Sequence, residues 1–69
     1  MTVDALGFVH VLDGANRRIH TYDSEGLEVA VIGPLLPGGL ELRKPEDLAV
    51  SGDGRLFIVD ARAGVIVLE

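Results

Sequence analysis

The sequence predicts an all-β chain of short antiparallel strands arranged as repeating units, and three observations carry that expectation. The first is an internal repeat, since Met1 to Tyr22 aligns without a gap on Leu48 to Glu69 at an offset of 47 residues. Val3/Val50, Gly7/Gly54, Asp13/Asp60 and Ile19/Ile66 are identical, and Met1/Leu48, Val9/Leu56, Val11/Ile58 and Leu12/Val59 keep apolar character. The second is the form of the apolar runs. Phe8 to Leu12 and Leu56 to Val59 are short, contain β-branched residues and are bounded by Gly7, Gly14 and Gly54, which suits strands rather than helices. The third is turn chemistry: Asp23-Ser24-Glu25-Gly26 and Ser51-Gly52-Asp53-Gly54 supply Gly for positive φ and Asp or Ser for bonds back to nearby amides.

In chain order, the expected strands are Met1 to Asp4, Phe8 to Leu12, Arg18 to Tyr22 and Leu27 to Ile32. A second set follows at Asp47 to Val50, Leu56 to Val59 and Val65 to Leu68. Gly7 and Gly54 are expected at positive-φ turn positions. The stretch Gly33 to Pro45 carries all three prolines, so it reads as a connector and not as a central strand. The resulting division is a first four-stranded unit over 1–33, a Pro/Gly connector over 34–45, and a second unit over 46–69 that lacks its outer strand. An antiparallel sheet with one wet face should alternate apolar and polar residues, yet FVHVL and LFIV are nearly continuous. Both faces therefore need cover. Blades of a β-propeller meet that demand, because each sheet is sandwiched between its neighbours.

Composition narrows the function classes. The 69 residues include no cysteine, so no disulfide can staple so small a domain, and two histidines alone do not build a structural zinc site. Hydrophobic residues make up 48%, too many for a disordered tail. Six Lys+Arg against 11 Asp+Glu give a net charge of −5, the wrong sign for a surface that tracks nucleic-acid phosphates. Apolar runs of this length do not span a membrane, and the acidic start does not suit a signal peptide, so a soluble chain is expected.

Few residues suggest chemistry. If the first hairpin is symmetric about Ala15, His10 and His20 face each other across two strands within ligand reach, although two ligands need a third to hold zinc. Asp13 and Asp60 each end an apolar strand, where a carboxylate caps the following turn by accepting amide bonds. Arg18 lies just past the hairpin loop and is placed to pair with Asp13 or to face a ligand. Asp13, Arg18, Asp60, His10 and His20 are thus the candidate structural or ligand-facing residues. Ser24 and Ser51 lie in turns with no histidine arranged as a base, so no nucleophilic triad is visible. Gly38-Gly39 lacks the Lys-Ser/Thr of a phosphate loop and precedes no helix. Asp23 and Asp53 are too few for a calcium cage. No catalytic residue, metal ligand or cofactor is expected.

The segment Gly14 to Gly26 (GANRRIHTYDSEG) resembles the hairpin of the NHL-repeat β-propeller family, with Asn and Arg before Ile and an aromatic leading into an acidic turn that ends in Gly. Lys44 to Asp60 (KPEDLAVSGDGRLFIVD) is similar to that family's blade start, where Pro opens the inner strand and an Asp-Gly turn precedes an apolar strand closing on Asp. The second copy departs by carrying Ala63, Gly64 and Val65 where the first has Asn16, Arg17 and Arg18, and the first has Ala5-Leu6 in place of Gly52-Asp53. The resemblance implies a scaffold that forms six-bladed rings and binds proteins, RNA or small molecules. Lactonase-like and amidating-lyase-like propellers share the rhythm, and imply the alternative of a metal-dependent enzyme piece in which His10, His20, Asp13 and Asp60 line a channel. A six-bladed ring at this period needs about 280 residues, so one chain supplies less than two blades. A homo-oligomer is therefore expected, with a trimer favoured and a tetramer or strand-swapped dimer as alternatives.

Overall fold

In the computed structural model, which describes residues 1–68, seven strands form in the expected order. They are β1 (Thr2–Val3), β2 (Val9–Asp13), β3 (Arg18–Tyr22), β4 (Glu28–Ile32), β5 (Pro45–Val50), β6 (Leu56–Asp60) and β7 (Gly64–Leu68). They make two antiparallel sheets, β1-β2-β3-β4 and β5-β6-β7, in which neighbours along the chain are neighbours in space. Among the described residues there is no α-helix, only a 3-10 turn at Pro37–Gly39.

Three connections share one construction, which explains why the strands stop where they do. In Asp4 to Phe8, Asp23 to Leu27 and Ser51 to Arg55, the first residue's N–H donates to the fifth residue's carbonyl, at 2.9, 2.8 and 2.9 Å. The fourth residue is Gly7, Gly26 or Gly54, with φ of 89°, 84° and 90°, a region that only glycine enters at little cost. In the first two turns the leading carboxylate also accepts two amides, from Leu6 and Phe8 at Asp4 and from Glu25 and Leu27 at Asp23. Asp4 thus leaves the expected first strand, whose ladder shortens to Thr2–Val3.

The two β-hairpins of the repeat differ by one residue in register. β6 and β7 pair Phe57 with Val67 and Asp60 with Gly64, the counterpart of the symmetric arrangement expected for the first hairpin. β2 and β3 instead pair His10 with Thr21 and Asp13 with Arg18. A one-residue slip sends every side chain of one strand to the other face relative to its partner. His10 and His20 consequently lie on opposite faces of the first sheet, and the expected cross-strand histidine pair does not exist. The loops still share a left-handed residue at equivalent repeat positions, Arg17 (φ 57°) and Gly64 (φ 87°).

The core lies between the sheets. Ile19 of the first meets Leu48, Leu56, Ile58 and Ile66 of the second, flanked by Leu12, Ile32, Val50 and Leu68. The connector is more than a spacer: Leu36 and Leu42 are 3% and 0% exposed and complete this core. Each buried leucine stabilises by about 1.5–3 kcal/mol. Backbone bonds from Leu36 N to Leu40 O and from Leu42 N to Pro34 O, both 2.7 Å, shape the connector. Gly33 opens it at φ 90°, where a Cβ would come within 2.8 Å of the Arg17 carbonyl and 2.9 Å of Leu42. The Cα radius of gyration, 11.3 Å, is close to the about 11 Å expected of one compact body of this length.

The outward faces carry apolar residues as well, beside Asp13, Arg18 and His20 on the first sheet. On the first sheet Val3, Val9, Val11 and Val31 share the face away from the core, and on the second Phe57, Val59, Val65 and Val67 do so. Val65 is 66% exposed and Val3 55%. The continuous runs FVHVL and LFIV therefore present one face to the core and one to the surroundings of the chain.

Candidate functional site

The repeat brings both hairpin tips, Gly14–Arg17 and Ala61–Ala63, to the end of the connector. Asp60 organises the junction. It is 2% exposed, and its Oδ2 accepts the amides of Arg43 at 2.8 Å and Lys44 at 3.1 Å while Oδ1 accepts those of Arg62 at 2.9 Å and Ala63 at 2.8 Å. Burial pushes the carboxyl pKa up, but these four amides outweigh it and hold the pKa at about 2. The Ala61 amide adds a bond to the Lys44 carbonyl at 2.9 Å, so connector and second hairpin are tied through backbone.

Around this junction the side chains of Arg17, Arg43, Lys44 and Arg62, with Glu41, line a cleft of roughly 330 Å³. It gathers four of the chain's six Lys and Arg residues. Arg17 Nη1 lies 3.6 Å from Glu41 Oε1, and among the described residues no carboxylate approaches the side chains of Arg43, Lys44 or Arg62 within ion-pair distance. The result is a local positive field on a chain of net charge −5.

Asp60 thus belongs to the cleft's foundation, while the other candidates are distributed elsewhere. Asp13 caps its own turn, accepting the Asn16 amide at 3.2 Å and the Asn16 side chain at 2.9 Å, bonds that hold its carboxyl below the usual range against the opposing effect of burial. Arg18 is its register partner, but no ion pair forms between them; the Asp13 carboxylate approaches His20 Nε2 instead, at 3.6 Å. His20 Nδ1 lies 2.5 Å from Glu28 Oε1. The two carboxylates address opposite ring nitrogens and do not converge on one centre, and no group of three His, Cys, Asp or Glu among the described residues has metal-binding geometry.

His10 is placed between Thr21 Oγ1, 3.0 Å from Nδ1, and Asp4 Oδ2, 3.1 Å from Nε2. Burial raises the Asp4 pKa, but His10 and the Phe8 and Leu6 amides together hold it below the ordinary value. The order Asp-His-Thr has the connectivity of a hydrolytic triad. Thr21, however, is 7% exposed and does not line the cationic cleft. Its hydroxyl is a partner that satisfies the imidazole inside the first sheet.

Sequence reasoning missed Asp4, Thr21, Glu28 and the cluster of Arg17, Arg43, Lys44 and Arg62. The signal for the cluster was faint: adjacent Arg43-Lys44 at the connector's end, and one Arg in each hairpin tip. No protein-family model matches the chain, and no curated protein matches it at a significant level.

Proposed function

We propose that the chain is a structural and binding module, a pair of NHL-like propeller blades that closes into a six-bladed ring with further copies of itself and presents its loops to a ligand or protein. The single observation that carries this reading is the apolar outer face on each sheet, Val3, Val11 and Val31 on one side and Val59, Val65 and Val67 on the other. Monomeric proteins seldom leave such faces uncovered, and propeller sheets use them to stack. The open edge of β7 supports the same reading, since a three-stranded sheet beside a four-stranded one invites a further strand. Three chains supply six sheets and make the trimer the favoured closure. Four chains with sheets completed between copies, or a strand-swapped dimer, are the competing closures.

Sedimentation equilibrium of the purified chain tests the proposal. The expected result is a species of three times the 7.3 kDa chain mass, with no folded monomer at micromolar concentration. A compact 7.3 kDa species at every concentration overturns it.

A further inference from the structure

We propose that the cleft between the hairpin tips binds a small phosphate-bearing ligand, with Arg17, Arg43, Lys44 and Arg62 as its cationic contacts. The argument starts from charge. Collecting four cations around one cleft is electrostatically unfavourable for an empty protein, and Glu41 and the ionised Asp60 beneath the cleft offset two of them. The remaining excess suits a ligand carrying two or more negative charges better than a monocarboxylate. Guanidinium groups present planar forks that match phosphate oxygens two at a time, and Lys44 adds a point charge. The cleft's roughly 330 Å³ lies at the small end of the range for small-molecule sites, about 300–1,000 Å³. An extended nucleic acid would leave the cleft and meet a chain of net charge −5, so a compact ligand is favoured.

Two features show a cleft held ready. Asp60 fixes the backbone amides of Arg43, Lys44 and Arg62, three of the four residues whose side chains supply positive charge, so their Cα positions are set before any ligand arrives. Arg17 is the only described non-glycine residue at positive φ, and the second copy of the repeat has Gly64 at the equivalent place. A position that suits glycine here carries a guanidinium, at the mouth of the one cleft that collects cations. The cleft is complete within one chain, so the inference does not depend on ring closure.

Calorimetric titration of the full chain with pyrophosphate, at ionic strength held constant with sodium chloride, tests it. One saturable site per chain is expected. Arg17→Gly is the informative variant, because it removes the guanidinium while giving the backbone the residue best suited to φ 57°. It should melt no lower than the parent and yet bind pyrophosphate about tenfold or more weakly. Lys44→Gln and Arg62→Gln should weaken binding similarly, while Arg55→Gln, the same charge change in the turn at the other end of β6, should leave it unaltered. No saturable binding, an equal loss in Arg55→Gln, or tighter binding of citrate or of a single-stranded RNA oligonucleotide than of pyrophosphate would each overturn the proposal.

Discussion

Asp13 and Asp60 occupy equivalent places in the repeat and end equivalent strands, but their surroundings separate them. Asp13 accepts hydrogen bonds from Asn16 and lies 3.6 Å from His20 Nε2, whereas Asp60 collects two amides of its own hairpin and two from residues 16 and 17 positions earlier in the chain. The turn-capping half of this role is legible in a carboxylate at a strand end. The other half is not, because nothing local marks Arg43 and Lys44 as donors to a residue so far away. The depressed pKa gives the first prediction. A free aspartate titrates near 4 and Asp60 near 2, so its stabilising contribution is complete above about pH 4 and is lost as pH falls from there through about 2. Urea unfolding between pH 5 and 2 should show stability falling through that window, and Asp60→Asn should lower stability at pH 5 and flatten the fall. Asp13→Asn should change the profile less; an Asp60→Asn profile parallel to the parent would refute the clamp.

At the scale of elements, the turns and strands follow from short-range chemistry, and so they were readable. Asp-x-x-Gly and Ser-x-x-Gly reverse the chain within five residues, and the β-branched runs between them have few other stable conformations. The connector was readable only in part. Its prolines rule out a central strand, but Leu36 and Leu42 enter the core because the gap between two sheets needs filling, a requirement set by residues far along the chain. The apolar outer faces lead to a prediction at this scale. Val65→Lys and Val31→Lys change side chains that the single chain leaves 66% and 49% exposed, so each should alter the stability of one chain's fold by no more than about 0.5 kcal/mol. In a closed ring the same lysines would be buried against a neighbour, so each variant should lose the trimer and, because folding and assembly are one event, unfold at micromolar concentrations where the parent is a folded trimer. Ile58→Asp, at a fully buried position, should unfold the chain through its own core at every concentration, at a cost of roughly 3–5 kcal/mol for an unpaired buried charge. If Val65→Lys and Val31→Lys both retain the parent's mass, those faces are not the interface.

At the scale of the whole molecule, stability and assembly should be one event. A chain of 69 residues without cysteine has a small core, and its outer valines add burial only when another copy covers them. If unfolding accompanies dissociation of a trimer, each tenfold rise in chain concentration adds close to 1 kcal/mol per chain, which corresponds to about 4–8 °C in Tm for a domain of this size. Calorimetric scans over two decades of concentration check this. A midpoint that stays constant would leave a self-sufficient pair of sheets and remove the need for a ring.

What the sequence by itself determined about this protein is its all-β character, the order of its strands, the positive-φ glycines at Gly7 and Gly54, and the carboxylate caps at Asp13 and Asp60. Each depends on residues within a few positions of one another, where backbone sterics and amide bonding leave few choices. Only the tertiary structure decided the rest. A one-residue difference between two hairpins of matching sequence pattern separates His10 from His20, because register is set by how the whole strand packs as well as by its turn. The cationic cleft depends on distance in the same way. Arg17, Arg43 and Arg62 are separated in sequence by a strand or more, and they share one cleft because two sheets pack face to face and Asp60 draws the connector onto the second hairpin.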